Sequence, residues 1–132
     1  MRPIPVGAKG TDTLRVTPAH LASQFKDATL PPVFATPMMV RAMENAALNA
    51  IRAYLDPGES AVGTVVNVRH LAATPVGHQV TAEAEVTKVD GRRIEFKVSA
   101  RDETEEIGNG THERMVVDLA RLGKRLKDKQ RP

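Results

Sequence analysis

A hydroxyl, a carboxylate and an imidazole stand out in this chain as residues that could do chemistry. Thr36 opens a long run of helical character, Glu44 is the lone acid on that run, and His70 closes a run of alternating valines. A hydroxyl can attack or orient an attacking water. An imidazole carries protons near neutral pH. A carboxylate can orient that imidazole, or take a proton itself when desolvation raises its pKa. Together they are the parts of a nucleophilic attack with proton transfer. Each also has a plainer role: Thr36 as a helix cap, His70 as a buried ring bonded to a backbone carbonyl, Glu44 as a rim carboxylate paired with Arg41 or Arg52. Both readings are open for each residue, and for Thr36 they are compatible. Free N–H groups are expected on Met38 and Met39 in the first turn, where the helix dipole would favour a developing oxyanion.

Spacing constrains the trio. Thr36 and Glu44 are two turns apart on one helix, about 12 Å, so their side chains cannot touch. His70, a water or a second subunit must bridge them. His70 is expected to lie between a Thr36 and a Glu44.

The elements that must position these residues are legible from period. Thr36 to Tyr54 has helical periodicity, with Thr36 read as N-cap, Pro37 as the first helical residue, and Asp56-Pro57-Gly58 as the stop. Arg41, Asn45, Asn49 and Arg52 form one narrow polar stripe; nearly all the rest is apolar, so the helix must be covered on several sides. Thr11 to Val16 reads as a short strand, Pro18 to Ser23 as one helical turn, and Gln24 to Ala35 as a loop. After the helix the period becomes two. Val62, Thr64, Val66, Val68 and His70 share one phase. Val80, Ala82, Ala84 and Val86 alternate with polar residues, as do Ile94, Phe96, Val98 and Ala100 beyond an Asp90-Gly91 hairpin signal. Inward residues are even-numbered on both of these strands, so a plain two-residue loop gives the wrong parity. A three-residue loop or a bulge is required. From Ile107 to Val117 the alternation weakens at Gly108 and Gly110, which marks a bulge or a close approach by another element. Strand, long helix, then four antiparallel strands make an α+β domain, its sheet wrapped around one long central helix.

All 132 residues fit one domain, with 41% hydrophobic and 27% charged residues and no cysteine. The last fact excludes disulfides, thiolate metal sites and a cysteine nucleophile. No apolar leader or spanning run is present, and a cytoplasmic protein without membrane association is the default. The formal charge of +3 is unevenly spread. Residues 120–132 hold six Lys/Arg against Asp128, a net +5, which leaves −2 for the rest. Without interleaved aromatics this tail does not argue for nucleic acid, and it reads as a solvated, partly frayed and disordered terminus. His112 and Glu113 are adjacent, but His20 and His78 show no ligand spacing relative to them, so no metal site is expected.

Several runs in order carry a family resemblance: Val33-Phe34-Ala35-Thr36-Pro37 with Met43-Glu44, Val68 through Gly77, Val89-Asp90-Gly91-Arg92-Arg93, and Glu106 through Arg114. From Val33 to Asp118 the chain resembles the hot-dog-fold acyl-CoA thioesterases, most closely their fluoroacetyl-CoA thioesterase-like group. The resemblance implies a hot-dog fold and a homodimer, or a tetramer, with sites at or near the subunit interface. It further implies that Thr36, Glu44 and His70 carry thioester hydrolysis, and that Gly63 and Arg114 serve the acyl pocket and its support. CoA would be part of the substrate, with no separate cofactor. Arg114 itself reads either as the holder of a carboxylate such as Glu113 or Glu44, or as an outward strand residue. One segment departs from the fluoroacetyl-specialised branch. Where that branch has an aromatic-rich lid, this chain reads Lys26-Asp27-Ala28-Thr29-Leu30-Pro31-Pro32. Fluoroacetyl selectivity therefore does not follow. Two other classes compete with a hydrolase of short acyl-CoA thioesters: a non-catalytic acyl-CoA-binding hot-dog protein, and a hydratase. The hydratase would want an Asp near the helix start, and none lies between Thr36 and Tyr54.

Overall fold

Alternating apolar residues on four consecutive segments, plus a short one before the helix, become a single antiparallel sheet. A computed structural model describes residues 1–25 and 27–131. Lys26, the first residue of the departing segment, and Pro132, at the end of the basic tail, lie outside the described residues. The strands are β1 (Lys9–Arg15), β2 (Glu59–His70), β3 (Gln79–Asp90), β4 (Arg93–Arg101) and β5 (Glu106–Asp118), in the spatial order β1-β3-β4-β5-β2. Two short helical pieces, a 3-10 turn at Pro18–His20 and α1 (Ala22–Phe25), precede the long helix α2 (Thr36–Ile51). A further 3-10 turn, Arg52–Tyr54, tightens its end.

The sheet curls over α2. Met39, Ala42, Met43, Ala46, Ala47, Ala50 and Ile51 of the helix are buried against Val80, Ala82, Ala84 and Val86 of β3 and Ile94, Phe96, Val98 and Ala100 of β4. Each large aliphatic side chain so buried contributes about 1.5–3 kcal/mol. The polar stripe runs under β1 and is stitched to it. Asn49 Nδ2 donates to the Thr11 carbonyl at 2.9 Å, and Asn45 Nδ2 to Asp12 at 3.4 Å. That explains how a helix with so much apolar surface still carries a row of amides. At Gly108 of β5 a Cβ would stand 2.5 Å from Met39 Sδ, which is the close approach that the weak alternation foretold.

Parity is resolved by bulges. The hairpin pairs Asp90 with Arg93 around a two-residue Gly91-Arg92 loop, and a register shift between Val86 and Lys88 restores the even phase further down. A second shift, between Gly63 and Val65, was not expected. Val66, Val68 and His70 face His112, Gly110 and Gly108 on the inner side, whereas Val62 pairs with Met115 on the opposite face. His70 thus shares its face with two of the three valines.

The basic tail also differs from expectation. Residues Leu119–Lys129 form a helix, α3, whose first turn is capped by the Asp118 side chain accepting from Arg121 N–H. Asp118 supplies the cap and Leu119, Leu122 and Leu126 supply one apolar face, so the segment is ordered although none of its residues is buried. No helix among the described residues is long and apolar enough to cross a membrane.

Candidate active site

Thr36 is set in place by the segment before it. Leu21 bridges Phe34, Val33 bridges Pro75, and Phe34 N–H donates to the Thr74 carbonyl at 2.8 Å. Phe34 and Ala35 are each 1% exposed, so the chain enters α2 at a fixed angle. Ala35, not Thr36, is the N-cap residue. The Met38 and Met39 N–H groups both donate to the Ala35 carbonyl, at 3.0 and 3.1 Å. Two expectations are thereby corrected. Thr36 does not cap the helix with its side chain, and the two methionine amides are not free for an oxyanion. The freed hydroxyl turns instead to β2, where its Oγ1 lies 2.8 Å from His70 Nδ1.

His70 is the last residue of β2, opposite Gly108. Burial pushes its pKa below the ordinary imidazole value, an effect partly offset by the Ala72 backbone. The ring is therefore neutral at pH 7 and able to accept a proton. The pair opens on a pocket of about 290 Å³ walled by Ala22, Val33, Phe34, Leu71 and Ala72. The pocket wall is held from behind. Thr74, fully buried, donates its hydroxyl to Asp102 at 2.8 Å, and Asp102 also accepts from the Thr104 and Glu105 N–H groups. Burial raises the Asp102 pKa, but these bonds outweigh it and hold the carboxyl below its usual range.

Glu44 is elsewhere. Its Oε2 lies 3.5 Å from Arg114 Nη1, and Arg114 donates through Nη2 to the Ala61 carbonyl at 2.7 Å. Arg114 is inward and 7% exposed, so it holds a carboxylate rather than facing solvent. The partner of Glu44 is neither Arg41 nor Arg52. Gly63 faces the same cluster: a Cβ there would stand 2.8 Å from Glu44 Oε2 and 3.3 Å from His112 Cε1. His112 is engaged through both ring nitrogens. Its Nδ1 lies 2.7 Å from the Val65 carbonyl and its Nε2 3.2 Å from Arg114 Nη1.

The expected site residues therefore fall into two separate clusters. Thr36 and His70 meet at one end of β2, and Glu44, Gly63 and Arg114 meet towards the other, roughly 20 Å away along the strand. His70 contacts a Thr36 as expected, but no hydrogen bond joins it to the Glu44 of the same copy. Sequence reasoning weighed His112 only as a metal ligand, although it shares the inward phase of Arg114, and it passed over the Thr74–Asp102 pair, for which an isolated sequence offers no signal.

Comparison with known proteins places the chain in a family. Residues 16–120 match the model of a protein family described as fluoroacetyl-CoA-specific thioesterase. The fluoroacetyl-CoA thioesterase of Streptantibioticus cattleyicolor is 48% identical over 129 residues, covering 94% of this chain and 93% of that protein. A crystal structure of the fluoroacetyl-CoA thioesterase FlK superposes with a TM-score of 0.91 at 40% identity, covering 98% of this chain and 99% of the other. A thioesterase superfamily member from Thermus thermophilus superposes with a TM-score of 0.88 at 35% identity, over 98% and 97% of the two chains. The fold is thus the hot-dog fold, and the protein is a thioester hydrolase of that superfamily. Within it, the chain belongs to the fluoroacetyl-CoA-specific thioesterase family.

Proposed function

We propose that this protein hydrolyses short acyl-CoA thioesters, fluoroacetyl-CoA among them, at a site built from two copies of the chain. The observation that carries the proposal is the 2.8 Å contact between Thr36 Oγ1 and a neutral His70 Nδ1 at the mouth of an apolar pocket. The attacking oxygen, Thr36 Oγ1 or a water it orients, passes its proton to His70 as it adds to the thioester carbonyl. The positive end of α2 faces the charge that develops there. Collapse of the tetrahedral intermediate expels the CoA thiolate, which His70 protonates. Where water attacked, the free acid is released. Where Thr36 attacked, a water deprotonated by His70 then hydrolyses the acyl-threonine ester, and His70 returns that proton to the Thr36 hydroxyl. Water is the only co-reactant, and no cofactor or metal takes part. Support for a CoA substrate also comes from the structure of an FlK mutant in complex with fluoroacetate and CoA, similar to this chain with a TM-score of 0.84 at 43% identity.

The second copy supplies Glu44. β2 is an edge strand of 12 residues on which Val62, Val65 and Val66 are 40–48% exposed. An apolar edge of that length invites pairing with another strand. An antiparallel pairing of two β2 strands centred between Val66 and Asn67 sets Gly63 of one copy opposite His70 of the other. That brings Glu44 and Arg114 of one subunit to Thr36 and His70 of its neighbour. The 20 Å gap within one copy then becomes a direct juxtaposition.

The test is thiol release from a panel of acyl-CoAs. Thr36→Ala and His70→Ala are each expected to lower kcat/KM at least about a hundredfold. Turnover that survives both substitutions refutes the site, and a wild-type protein inactive on every acyl-CoA refutes the hydrolase reading.

A further inference from the structure

His112 is the most enclosed imidazole of the chain, and the reaction above does not use it. It is 3% exposed and lies nearly parallel to Phe96, with ring centroids 5.8 Å apart and an interplanar angle of 27°, so its ring plane is fixed. Its two nitrogens face opposite kinds of partner. The Val65 carbonyl, 2.7 Å from Nδ1, can only accept a hydrogen bond. The Arg114 guanidinium, 3.2 Å from Nε2, can only donate one. A single state satisfies both: the neutral ring with its proton on Nδ1. Arg114 has few other anchors. Its Nη2 is held by the Ala61 carbonyl, its Nε is buried without a partner among the described residues, and its Nη1 is shared between His112 and Glu44.

We infer that His112 is a positioning residue for this reaction: as a neutral Nδ1–H imidazole it locks Arg114, and Arg114 in turn aims the Glu44 carboxylate into the space left open by Gly63. The inference rests on the proposal that Glu44 serves the active site. The charges facing His112 are Arg114 and Glu113 from its own strand and Glu44 from α2, while Glu95 of β4 lines the small cavity beside it. Protonating the ring would set an N–H against the guanidinium and release the clamp. Deleting the acceptor without changing the stack should do the same at any pH.

Two substitutions separate these roles. His112→Phe keeps the apolar ring against Phe96 and removes both bonds. His112→Gln supplies one donor and one acceptor and does not titrate. With acetyl-CoA as substrate, His112→Phe should lower kcat by about tenfold to a hundredfold with KM little changed, the cost of a misplaced reacting group. His112→Gln should keep kcat within a few-fold of wild type. Equal loss in both variants, or an unaltered kcat in His112→Phe, overturns the inference. Nitrogen-15 NMR of histidine-labelled wild-type protein at pH 7 gives a reading that needs no variant to fold. A His112 protonated on Nε2, or on both nitrogens, also overturns it. Glu44→Gln, assayed alongside, isolates the underlying proposal. If that variant is fully active, Glu44 is not part of the site, whereas the Nδ1–H state of His112 and its bond to Arg114 are judged on the NMR alone.

Discussion

Gly63 separates the demands of folding from those of the proposed site at a single Cα. The nearest atom to a Cβ at that position is the Glu44 carboxylate, the end of a flexible side chain that is 38% exposed, and no backbone atom is among its three nearest neighbours. Gly63→Ala should therefore be absorbed by a swing of Glu44, with little effect on the thermal midpoint. Moving that carboxylate off Arg114 should lower kcat by roughly tenfold. Thermal unfolding followed by circular dichroism, set beside steady-state assays of the same preparation, checks both halves. A variant that loses stability and activity in proportion would contradict the argument. At this scale the sequence was informative about residue type and poor about partners. Thr36, His70 and Glu44 stood out because each is a reactive group in an apolar context. The partner of Glu44 was left open between Arg41, Arg52 and Arg114, because Arg114 lies on the fourth strand after α2 and only the pairing of β2 with β5 brings it beneath Gly63.

Elements were more legible where the period was strict. The parity of β3 and β4 required an irregularity at the hairpin, and the shift at Val86/Lys88 supplies it. The same reasoning failed on β2 because Val62, Val65 and Val66 place valines in both phases, so nothing in the pattern marks Thr64 as the extra residue. Composition misread the tail. Six Lys/Arg suggested a frayed end, but the Asp118 cap and the leucine spacing within the run carry a helix. In the proposed arrangement β2 is also the strand through which two copies associate. Val66→Lys should leave the isolated fold intact, since Val66 is 45% exposed, and should shift sedimentation toward the monomer. Turnover should fall with it. Complementation tests the sharing of residues directly. Thr36→Ala and Glu44→Gln are each inactive alone in this scheme, but a mixed dimer contains one site with both groups intact. Equal mixing after subunit exchange should recover about a quarter of wild-type activity. Recovery of none would place the whole site within one subunit.

Across the whole molecule, buried His112 and half-buried His70 tie stability to pH. Burial lowers the pKa of both His70 and His112, so the unfolded chain takes up protons before the folded one does. Their contribution is complete above the unfolded value of about 6.5 and is lost as pH falls through the folded values. The thermal midpoint should therefore decline as pH is lowered from about 6.5, before most carboxylates titrate. In the folded His112→Phe variant that decline should be shallower. Activity should share an acid limb below the ordinary imidazole range, since His70 must be neutral to take a proton. A midpoint flat from pH 7 to 5 would show that neither ring is coupled to folding.

The two ends of β2 also bear on abundance. If the site is shared as proposed, a chain that carries both halves but cannot join them is silent when alone. When monomers dominate, the population of complete sites grows with the square of chain concentration, so the rate per chain rises in proportion to the amount of protein present. Dilution would then quench turnover without unfolding anything, and the expression level would set a threshold for activity as well as its amount.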